Sequence, residues 1–385
     1  MFYLSFHAKH RMIYRTLFVR YSTFYGTDRG LKKLKYNKLQ EWVGNRLKNF
    51  EFVRIHGPTA EDVIKDVDLS NKTCLITGAN SGIGLEVTRC LNAHDCKLLM
   101  ACRNSYEASV VAKNVCEKKE NIKLYELNLA SLASVKKCSD MILKNEKKLD
   151  IVILNAATFG LPWTLTEDGL ETTFQVNYLA QFFLIMTLEG ILAPDARVVF
   201  TGAESHRNIK WPIEKILSPT LEDISLPREQ YTSIKAYNIS KLCCLLAMHY
   251  LGYRWLNTNI SVLTAHPGTF IKTRLSRNWW VYEMLYTAML PFSKNVKQGA
   301  STVIYSAISP ELAGLSAIYL KDCRRCNESS MARDTQLSFK LQDLTRDIIR
   351  DRVLGYDYSI VKPELIQKDI GKEPVEETFA SHYTG

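Results

Sequence analysis

The chain has 385 residues, of which 46% are hydrophobic and 23% are charged, a composition ordinary for a globular protein. No apolar run reaches the roughly 18–20 residues that a membrane-spanning helix needs. The formal net charge is +10, but residues 1–50 hold eleven lysines and arginines against Asp28 and Glu41, a balance of +9. The rest of the chain is nearly neutral, so its charge does not indicate a nucleic-acid partner.

The first region is a basic N-terminal arm, predicted to cover residues 1–54. Residues 1–27 contain Arg11, Arg15 and Arg20 but no acidic residue, a composition that mitochondrial transit peptides share. On a helical wheel, however, Arg20 falls opposite the other two arginines. The arm is therefore either a targeting segment or a basic segment that is disordered or lies on a surface, including a membrane surface.

Alternating strands and helices follow, and they predict one domain over residues 55–355 with a tail at 356–385. A short capped helix is predicted at Pro58–Glu61, before the main domain begins. The predicted strands are 73–76, 97–101, 122–127, 150–154, 196–201, 260–265 and 317–320. The predicted helices are 85–92, 105–119, 131–145, 167–190, 229–256, 298–309 and 333–354. Alternation at these lengths predicts an α/β fold, a doubly wound parallel sheet with helices on both faces.

The ten cysteines are scattered, and several lie in apolar runs, which is typical of reduced thiols. Cys323-x-x-Cys326 lacks a second cysteine pair and nearby histidines, so we predict a surface loop and no metal site. Reduced thiols favour a cytoplasmic location, with the mitochondrion as the alternative that the N-terminal arm suggests.

A glycine-rich turn joins the first predicted strand to its helix. Its sequence is Thr-Gly-Ala-Asn-Ser-Gly-Ile-Gly, residues 77–84. Glycines let a ligand approach the backbone, and the helix N-terminus behind them favours a pyrophosphate. The predicted cofactor contacts here are Gly78, Asn80, Ser81, Gly82, Ile83 and Gly84. The spacing differs from the G-x-G-x-x-G dinucleotide fingerprint, and by itself it also fits an ordinary tight turn.

Ligands of parallel sheets bind outside the carboxyl ends of the strands, so the residues that follow each strand are candidates. Arg103 follows the second strand, where an acidic residue would repel a 2′-phosphate. A guanidinium at that position fits a phosphate, which favours NADP(H) over NAD(H); a solvated surface arginine is the alternative. Asn128 and Leu129 follow the third strand and are predicted to face the adenine. Asn155 and Ala156 follow the fourth, where a cofactor ring passes close.

A tyrosine and a lysine are the candidate catalytic pair. Tyr237 and Lys241 are four residues apart on a predicted helix, which puts phenol and ammonium on one face. A nearby cation favours the phenolate, so Tyr237 can act as acid or base, and Lys241 can also bind the nicotinamide ribose. Pro267-Gly268 turns the chain after the sixth strand, and Thr273 is predicted to bind the nicotinamide carboxamide.

These motifs, in this order, resemble the short-chain dehydrogenase/reductase superfamily. Longer runs, such as Asn155-Ala-Ala-Thr-Phe, residues 165–177 and Glu204-Ser-His-Arg207, resemble the catalytic domains of one of its branches, the WW-domain-containing oxidoreductases. The resemblance covers about residues 55–355. It implies a Rossmann-type fold and NADP-linked interconversion of alcohols and ketones of retinoid or steroid type. It also implies that Asn177 completes a catalytic set with Tyr237 and Lys241, holding a water in the proton path.

The chain departs from the family pattern in three places. The N-terminal region has only Trp42, so we predict no WW module, which needs two tryptophans. Asn128 stands where the family usually has aspartate, which alters adenine binding. Ala203 stands where the family has its catalytic serine. Losing one oxyanion donor costs about 10²–10³ in rate.

Ala203 leaves two functions open. One is an oxidoreductase in which Thr201, Ser205 or a water replaces the serine hydroxyl. The other is an NADP-binding protein with weak catalysis that acts through protein partners. The many large apolar residues within 270–292 suit a small apolar substrate, and they equally suit simple packing or contact with a membrane surface. The sequence does not indicate an oligomeric state.

Overall fold

A computed structural model of the protein describes residues 57–353, except 270, 272, 274, 276–283, 285–286 and 288–292. The predicted arm, with Trp42, the predicted tail and most of the apolar stretch 270–292 lie outside the described residues. Within the described part, no helix is both long and apolar enough to span a bilayer.

The centre of the fold is one eight-stranded sheet. Its strands are β1 (Thr73–Thr77), β2 (Lys97–Cys102), β3 (Ile122–Glu126), β4 (Leu149–Leu154), β5 (Leu192–Thr201), β6 (Ser261–His266), β7 (Ile318–Lys321) and β8 (Arg324–Arg325). The spatial order is β3-β2-β1-β4-β5-β6-β7-β8. Every neighbouring pair is parallel except β7 and β8. The strand order reverses between β1 and β4, which is where ligands of such sheets bind.

The helices connect the strands and cover the sheet. They are α1 (Ala60–Ile64), α2 (Gly82–Ala93), α3 (Ser105–Val115), α4 (Leu132–Asn145), α5 (Thr172–Phe174), α6 (Ala180–Thr187), α7 (Ile213–Leu217), α8 (Leu221–Ile224), α9 (Ser233–Arg254), α10 (Val296–Ile308) and α11 (Thr335–Arg352). A π-helical turn, Gln175–Leu179, joins α5 to α6. Side chains cap several helix starts: Thr59, Ser131, Thr232 and Asn295 each accept a backbone hydrogen bond from the first turn. The helix predicted over 229–256 therefore begins later, at Ser233.

Two hydrophobic cores lie on opposite faces of the sheet. Leu75 of β1 faces the core shared with α4, α6, α9 and α11, whereas its neighbours Cys74 and Ile76 face the core shared with α1, α2, α3 and α10. Successive strand residues point to opposite faces, and every residue of β1 is buried, so both faces must be covered. The predicted doubly wound α/β fold is confirmed.

The predicted helix over 167–190 is wrong in its first part. Gly169 has a φ of +72°, and an isolated bridge between Leu165 and Glu171 closes a turn there. The Glu171 carboxylate then accepts hydrogen bonds from the backbone N–H groups of Thr173 and Phe174, which starts α5 at residue 172. A side-chain cap therefore set the boundary that apolar periodicity missed.

The predicted loop at Cys323-x-x-Cys326 is also corrected. Asp322 and Cys323 have φ values of 56° and 55°, and they form a two-residue turn between β7 and β8. Positive φ at both turn residues is the geometry that favours tight hairpins. All ten cysteines of the chain are free thiols.

Candidate active site

The predicted site residues come together at the carboxyl edge of the sheet. Gly78 directly follows β1, Arg103 follows β2, and Asn155 follows β4. Ala203 lies two residues beyond β5, and Pro267 directly follows β6. Because these strands are parallel and adjacent, their ends form one continuous crevice.

The glycine turn is shaped as a cradle that side chains would fill. Gly78 and Gly82 have φ values of +65° and +54°, a region that favours glycine. A Cβ on Gly84 would lie 2.3 Å from the Gly78 carbonyl oxygen, so no side chain fits there. Ser81 is the N-cap of α2, yet its hydroxyl makes no capping hydrogen bond. The turn thus presents backbone N–H groups and a helix N-terminus, as a pyrophosphate requires.

Two side chains, those of Asn155 and Thr273, lie against this turn. The Asn155 amide nitrogen donates to the carbonyl oxygens of Thr77 and Gly78, at 3.1 and 3.4 Å. On the other side, Thr273 lies where a Cβ on Gly82 would be 3.1 Å from the threonine Cβ. Thr273 therefore lies at the glycine turn, and its predicted contact with the nicotinamide carboxamide stays a prediction.

Arg103 and Asn128, which the sequence predicts to contact the nucleotide, follow β2 and β3 at the same edge of the sheet. Arg103 is exposed, and the next residue, Asn104, caps α3 by accepting from the N–H of Glu107 at 3.0 Å. The Asn128 side-chain oxygen accepts from the N–H of Ala130 at 3.2 Å, so part of its bonding capacity is used in its own turn. Leu129 is buried next to it.

Tyr237 and Lys241 lie one turn apart on α9. The Lys241 ammonium is 5.6 Å from the centre of the Tyr237 ring, and the Phe159 and Tyr237 rings form a T-shaped pair with their centres 5.0 Å apart. Lys241 is only 2% exposed and donates to the Thr201 carbonyl oxygen at 2.7 Å. Burial lowers the pKa of Lys241. A buried cation next to a half-buried phenol is the arrangement expected for an acid–base tyrosine.

Asn177 lies in the π-helical turn, a distortion often found at functional sites. Its side-chain oxygen accepts from the Thr158 N–H at 2.7 Å, and its side-chain nitrogen donates to the Thr158 carbonyl and to the Ser240 hydroxyl, both at 3.0 Å. The Asn177 carbonyl oxygen accepts from Gln181 at 3.1 Å and from the Cys244 thiol at 3.4 Å. Asn177 therefore joins the loop after β4 to the helix that carries Tyr237.

The loop after β5 carries the departure from the family pattern. Ala203 is 8% exposed and has no hydroxyl. The Thr201 hydroxyl donates toward the carbonyl oxygens of Leu154 and Asn155, at 3.2 and 3.3 Å, so its proton is already used. The Ser205 hydroxyl is buried and makes no hydrogen bond within the described residues. Of the two candidate replacements, only Ser205 keeps an uncommitted proton.

Charged and aromatic groups fix this loop in place. His206 is fully buried; its Nδ1 lies 2.7 Å from the Ala203 carbonyl, and its Nε2 accepts from the Ser329 N–H at 3.1 Å. Those partners require a neutral ring protonated at Nδ1, and burial lowers the pKa of His206 accordingly. Burial alone would raise the pKa of the Glu204 carboxyl, but hydrogen bonding from Arg207 and the charge of Lys321 hold it at about 2.

His266 is the last residue of β6, and the sequence motifs predict no role for it. It is 3% exposed, and neither ring nitrogen makes a well-aligned hydrogen bond with any described residue. Burial lowers the pKa of His266 to about 4 despite the nearby Glu204 carboxylate. The sequence signal was weak, because a histidine before Pro-Gly also fits an ordinary buried strand end.

The fold and this site define a short-chain dehydrogenase. The family model for short chain dehydrogenases matches residues 72–206, which contain the glycine turn and Asn177. The chain belongs to the short-chain dehydrogenase/reductase family. Its similarity to WW domain-containing oxidoreductases is also confirmed: it is 38% identical over 299 residues to the one from Drosophila melanogaster and 39% identical over 305 residues to the one from Gallus gallus. Each alignment covers 77% of this chain and 72% of the relative.

Other relatives extend the comparison. Retinol dehydrogenase 12 of Mus musculus is 32% identical over 288 residues, which cover 74% of this chain and 88% of that protein. A crystal structure of a protein from Mycobacterium paratuberculosis superimposes with a TM-score of 0.60 at 24% identity, covering 76% of this chain and 98% of that one. A short-chain type dehydrogenase/reductase from Mycobacterium marinum gives a TM-score of 0.53 at 18% identity, covering 66% and 94%. At such identities the two structures support the fold alone.

Proposed function

We propose that this protein is an NADP(H)-dependent oxidoreductase that interconverts an apolar alcohol and the corresponding ketone or aldehyde. Membership of the oxidoreductase family sets the reaction class; the nucleotide and the substrate are the proposed part. The observation that carries the proposal is the Tyr237–Lys241 pair, with its buried ammonium 5.6 Å from the phenol ring, at the same sheet edge as the glycine cradle. A phenol in that position can exchange a proton with a substrate oxygen.

The residues present fit a nicotinamide nucleotide. The turn of Gly78, Gly82 and Gly84 leaves no room for side chains and would hold the pyrophosphate. Thr273 and Asn155 close over that turn, and Pro267-Gly268 lies at the end of β6 on the same edge of the sheet. When bound, the nicotinamide supplies or accepts the hydride.

The acid–base chemistry falls to the chain itself. Tyr237 gives a proton to the substrate oxygen in reduction and takes one in oxidation. Lys241, held by the Thr201 carbonyl, places its positive charge next to the phenol and favours the phenolate. Asn177 fixes the neighbouring helix and loop through Ser240 and Thr158. With alanine at position 203, the developing oxyanion has one donor fewer, so we expect slow turnover.

Arg103 supports the choice of NADP(H). It is exposed directly after β2, where the family binds the adenosine ribose, and no acidic residue stands at that strand end to repel a phosphate. Charge-assisted hydrogen bonds to a guanidinium contribute about 1.5–3 kcal/mol each. We expect Arg103→Ala to weaken NADPH binding by about 10-fold or more and to leave NADH binding unchanged. Equal affinity of the wild-type protein for both nucleotides would contradict this assignment.

The retinoid or steroid class of substrate rests on similarity and on composition. One relative that matches most of its own length is named a retinol dehydrogenase. The segment 270–292, which follows the Pro-Gly turn in sequence, is rich in tryptophan, tyrosine, methionine and leucine. Such residues favour an apolar substrate over a polar one.

Ala203 favours a second candidate function, an NADP-binding protein that catalyses weakly and acts through protein partners. The nucleotide cradle is complete in this candidate, and only the oxyanion donor is missing. The two functions predict different effects of a serine at position 203 on turnover. We therefore propose an assay of retinoid and steroid alcohols and ketones with wild type and Ala203→Ser, with NADPH binding measured on both. Turnover in the wild type supports the enzyme. Turnover that appears only in Ala203→Ser indicates a degenerate oxyanion site, and nucleotide binding without turnover in both proteins supports the scaffold.

The location and partners follow the same reasoning. Ten free cysteines, eight of them buried, suit a reducing compartment, and we propose the cytoplasm. Proposed partners are the apolar substrate and, for the second function, other proteins. Localisation of the full chain and of a chain that begins at residue 55 would test whether the basic arm directs it to mitochondria instead.

A further inference from the structure

A buried glutamine lies between the nucleotide turn and the catalytic helix. Gln181 belongs to α6, one helical turn after Asn177, and it is 1% exposed. Its side-chain oxygen accepts from the Thr77 hydroxyl at 2.8 Å. Its side-chain nitrogen donates to the carbonyl oxygens of Ala156 and Asn177, at 2.8 and 3.1 Å. One amide thus contacts the ends of β1 and β4 and the π-helical turn.

These contacts admit one orientation of the Gln181 amide. Its nitrogen faces two carbonyl oxygens, which can only accept, so the amide oxygen faces Thr77. The Thr77 hydroxyl must then donate to Gln181, which leaves both of its lone pairs to accept. They do accept, from the N–H groups of Asn155 and Ala156 at 2.9 and 3.0 Å. The polar side-chain atoms of Thr77 and Gln181 therefore all have hydrogen-bond partners, although Thr77 is fully buried.

The chain of hydrogen bonds continues to the catalytic tyrosine. Asn177 donates from its side chain to the Ser240 hydroxyl at 3.0 Å. Ser240 in turn donates to the Tyr237 carbonyl oxygen at 2.8 Å. A buried path therefore runs from the residue before Gly78, through Gln181 and Asn177, to the helical turn that carries the phenol. Such a path rigidifies the groups it joins when all its members are satisfied.

We propose that Gln181 is a positioning residue that sets the distance between the nucleotide turn and Tyr237. Because it is almost completely buried, it acts through Thr77 and Asn177 and not by direct contact with a ligand. The inference rests on the proposed oxidoreductase function for its kinetic consequence, whereas its structural consequence stands without it. Misplacing reacting groups by about 1 Å costs on the order of 10²-fold in rate. The loss should therefore fall on turnover more than on nucleotide affinity.

The test compares Gln181→Leu with a matched control. Asn92→Leu also removes a buried amide, one that exchanges two hydrogen bonds with the backbone of Lys118 at the far end of α2. We expect Gln181→Leu to lower kcat by about 10–100-fold while the Kd for NADPH and the KM change less than about 3-fold. Asn92→Leu should lower thermal stability similarly and leave kcat within about 2-fold. Equal effects of both variants on kcat would overturn the proposal.

Amide hydrogen exchange separates this inference from the proposed function. In Gln181→Leu, the Thr77 hydroxyl loses its acceptor, so exchange at Asn155 and Ala156 should become at least about 10-fold faster. The same amides should be unchanged in Asn92→Leu. If the wild type neither binds NADPH nor turns over, the proposed function fails, and accelerated exchange still supports Gln181 as a positioning residue. Unchanged exchange at both amides overturns the inference, whatever the activity.

A charged analogue gives a signature that loss of stability alone would not. Gln181→Glu keeps the acceptor for Thr77 but, when ionised, offers no donor to the two carbonyl oxygens. Its protonated form donates to one of them, so the variant should regain part of the lost kcat at low pH. The ratio of variant to wild-type kcat should therefore fall as pH rises. A ratio that stays near 1 across pH overturns the proposal.

Discussion

The two halves of the site differ in how completely they are built. On the nucleotide side, the glycine turn is closed by Asn155 and Thr273 and is fixed to β4 through Thr77. On the substrate side, Ala203 lacks a hydroxyl, and the Ser205 hydroxyl makes no hydrogen bond with the described residues. The difference separates binding from chemistry. The nucleotide side predicts the affinity for a nucleotide, and the substrate side predicts the rate of turnover.

The largest expected effect is at the phenol. Tyr237→Phe removes the only proposed proton donor to the substrate oxygen but keeps the ring that packs against Phe159. We expect turnover to fall by about 10²–10⁴-fold with the Kd for NADPH nearly unchanged. The measurement is kcat/KM with the best alcohol of the screen, together with a nucleotide titration. A Tyr237→Phe protein with wild-type turnover would show that Tyr237 is not the proton donor.

Serine at position 203 is expected to have the next largest effect. Ala203→Ser restores one donor to the oxyanion, so turnover should rise by about 10²–10³-fold, which corresponds to about 3–4 kcal/mol. Nucleotide affinity should stay the same. The matched variant Ser205→Ala asks whether the buried Ser205 hydroxyl already supplies the missing donor. If it does, Ser205→Ala lowers wild-type turnover and Ala203→Ser gains little.

The buried histidine at the end of β6 predicts how the stability of the folded protein responds to pH. His266 has a pKa of about 4 in the folded protein because of burial, against about 6.5 when unfolded. Between pH 6.5 and 4, the unfolded chain therefore takes up a proton that the folded chain does not. The free energy of unfolding falls as pH falls through that window, by up to about 3 kcal/mol from this residue.

His266→Gln should remove most of that pH dependence. Urea unfolding of wild type and variant at pH 7 gives the difference in packing, because the ring is neutral in both states there. At pH 4.5, the difference in free energy of unfolding between wild type and variant should shift in favour of the variant, relative to the difference at pH 7. Parallel curves at all pH values would mean that His266 takes up its proton at the same pH in the folded protein as in the unfolded chain, with the nearby Glu204 carboxylate stabilising the charged ring.

Much of the fold could be predicted from the sequence because its signals are local. Short apolar runs in the sequence predict the buried parallel strands. The residues that follow these runs lie, as predicted, at the carboxyl edge of the sheet. What failed depended on single side chains or on unusual backbone. The cap by Glu171 shortened a predicted helix, and the turn at Asp322-Cys323 lacks the Asn-Gly signal of a tight hairpin.

The site shows the same division. Motif residues such as Gly82, Tyr237 and Lys241 are recognisable because the chemistry demands those residue types at those spacings. Gln181 and His266 are recognisable only from contacts between distant segments, such as the pair Thr77 and Gln181, 104 residues apart in the chain. A single sequence does not indicate which buried amide meets which strand end. Only the packing of the folded chain identifies Gln181 and His266.

The smallest expected effect is on the nucleotide half, through a single methyl group. A Cβ on Gly84 would lie 2.3 Å from the Gly78 carbonyl oxygen and 2.5 Å from the Asn155 side-chain nitrogen. Gly84→Ala must therefore push the turn open, at a cost of about 1–3 kcal/mol in stability, and it should weaken NADPH binding. Gly190→Ala is the matched control, because nothing lies within 4 Å of its Cβ. Isothermal titration with NADPH and thermal unfolding of both variants give the two quantities. If the Gly84 and Gly190 variants bind NADPH equally well, the turn is not the pyrophosphate cradle, and the nucleotide half of the comparison fails.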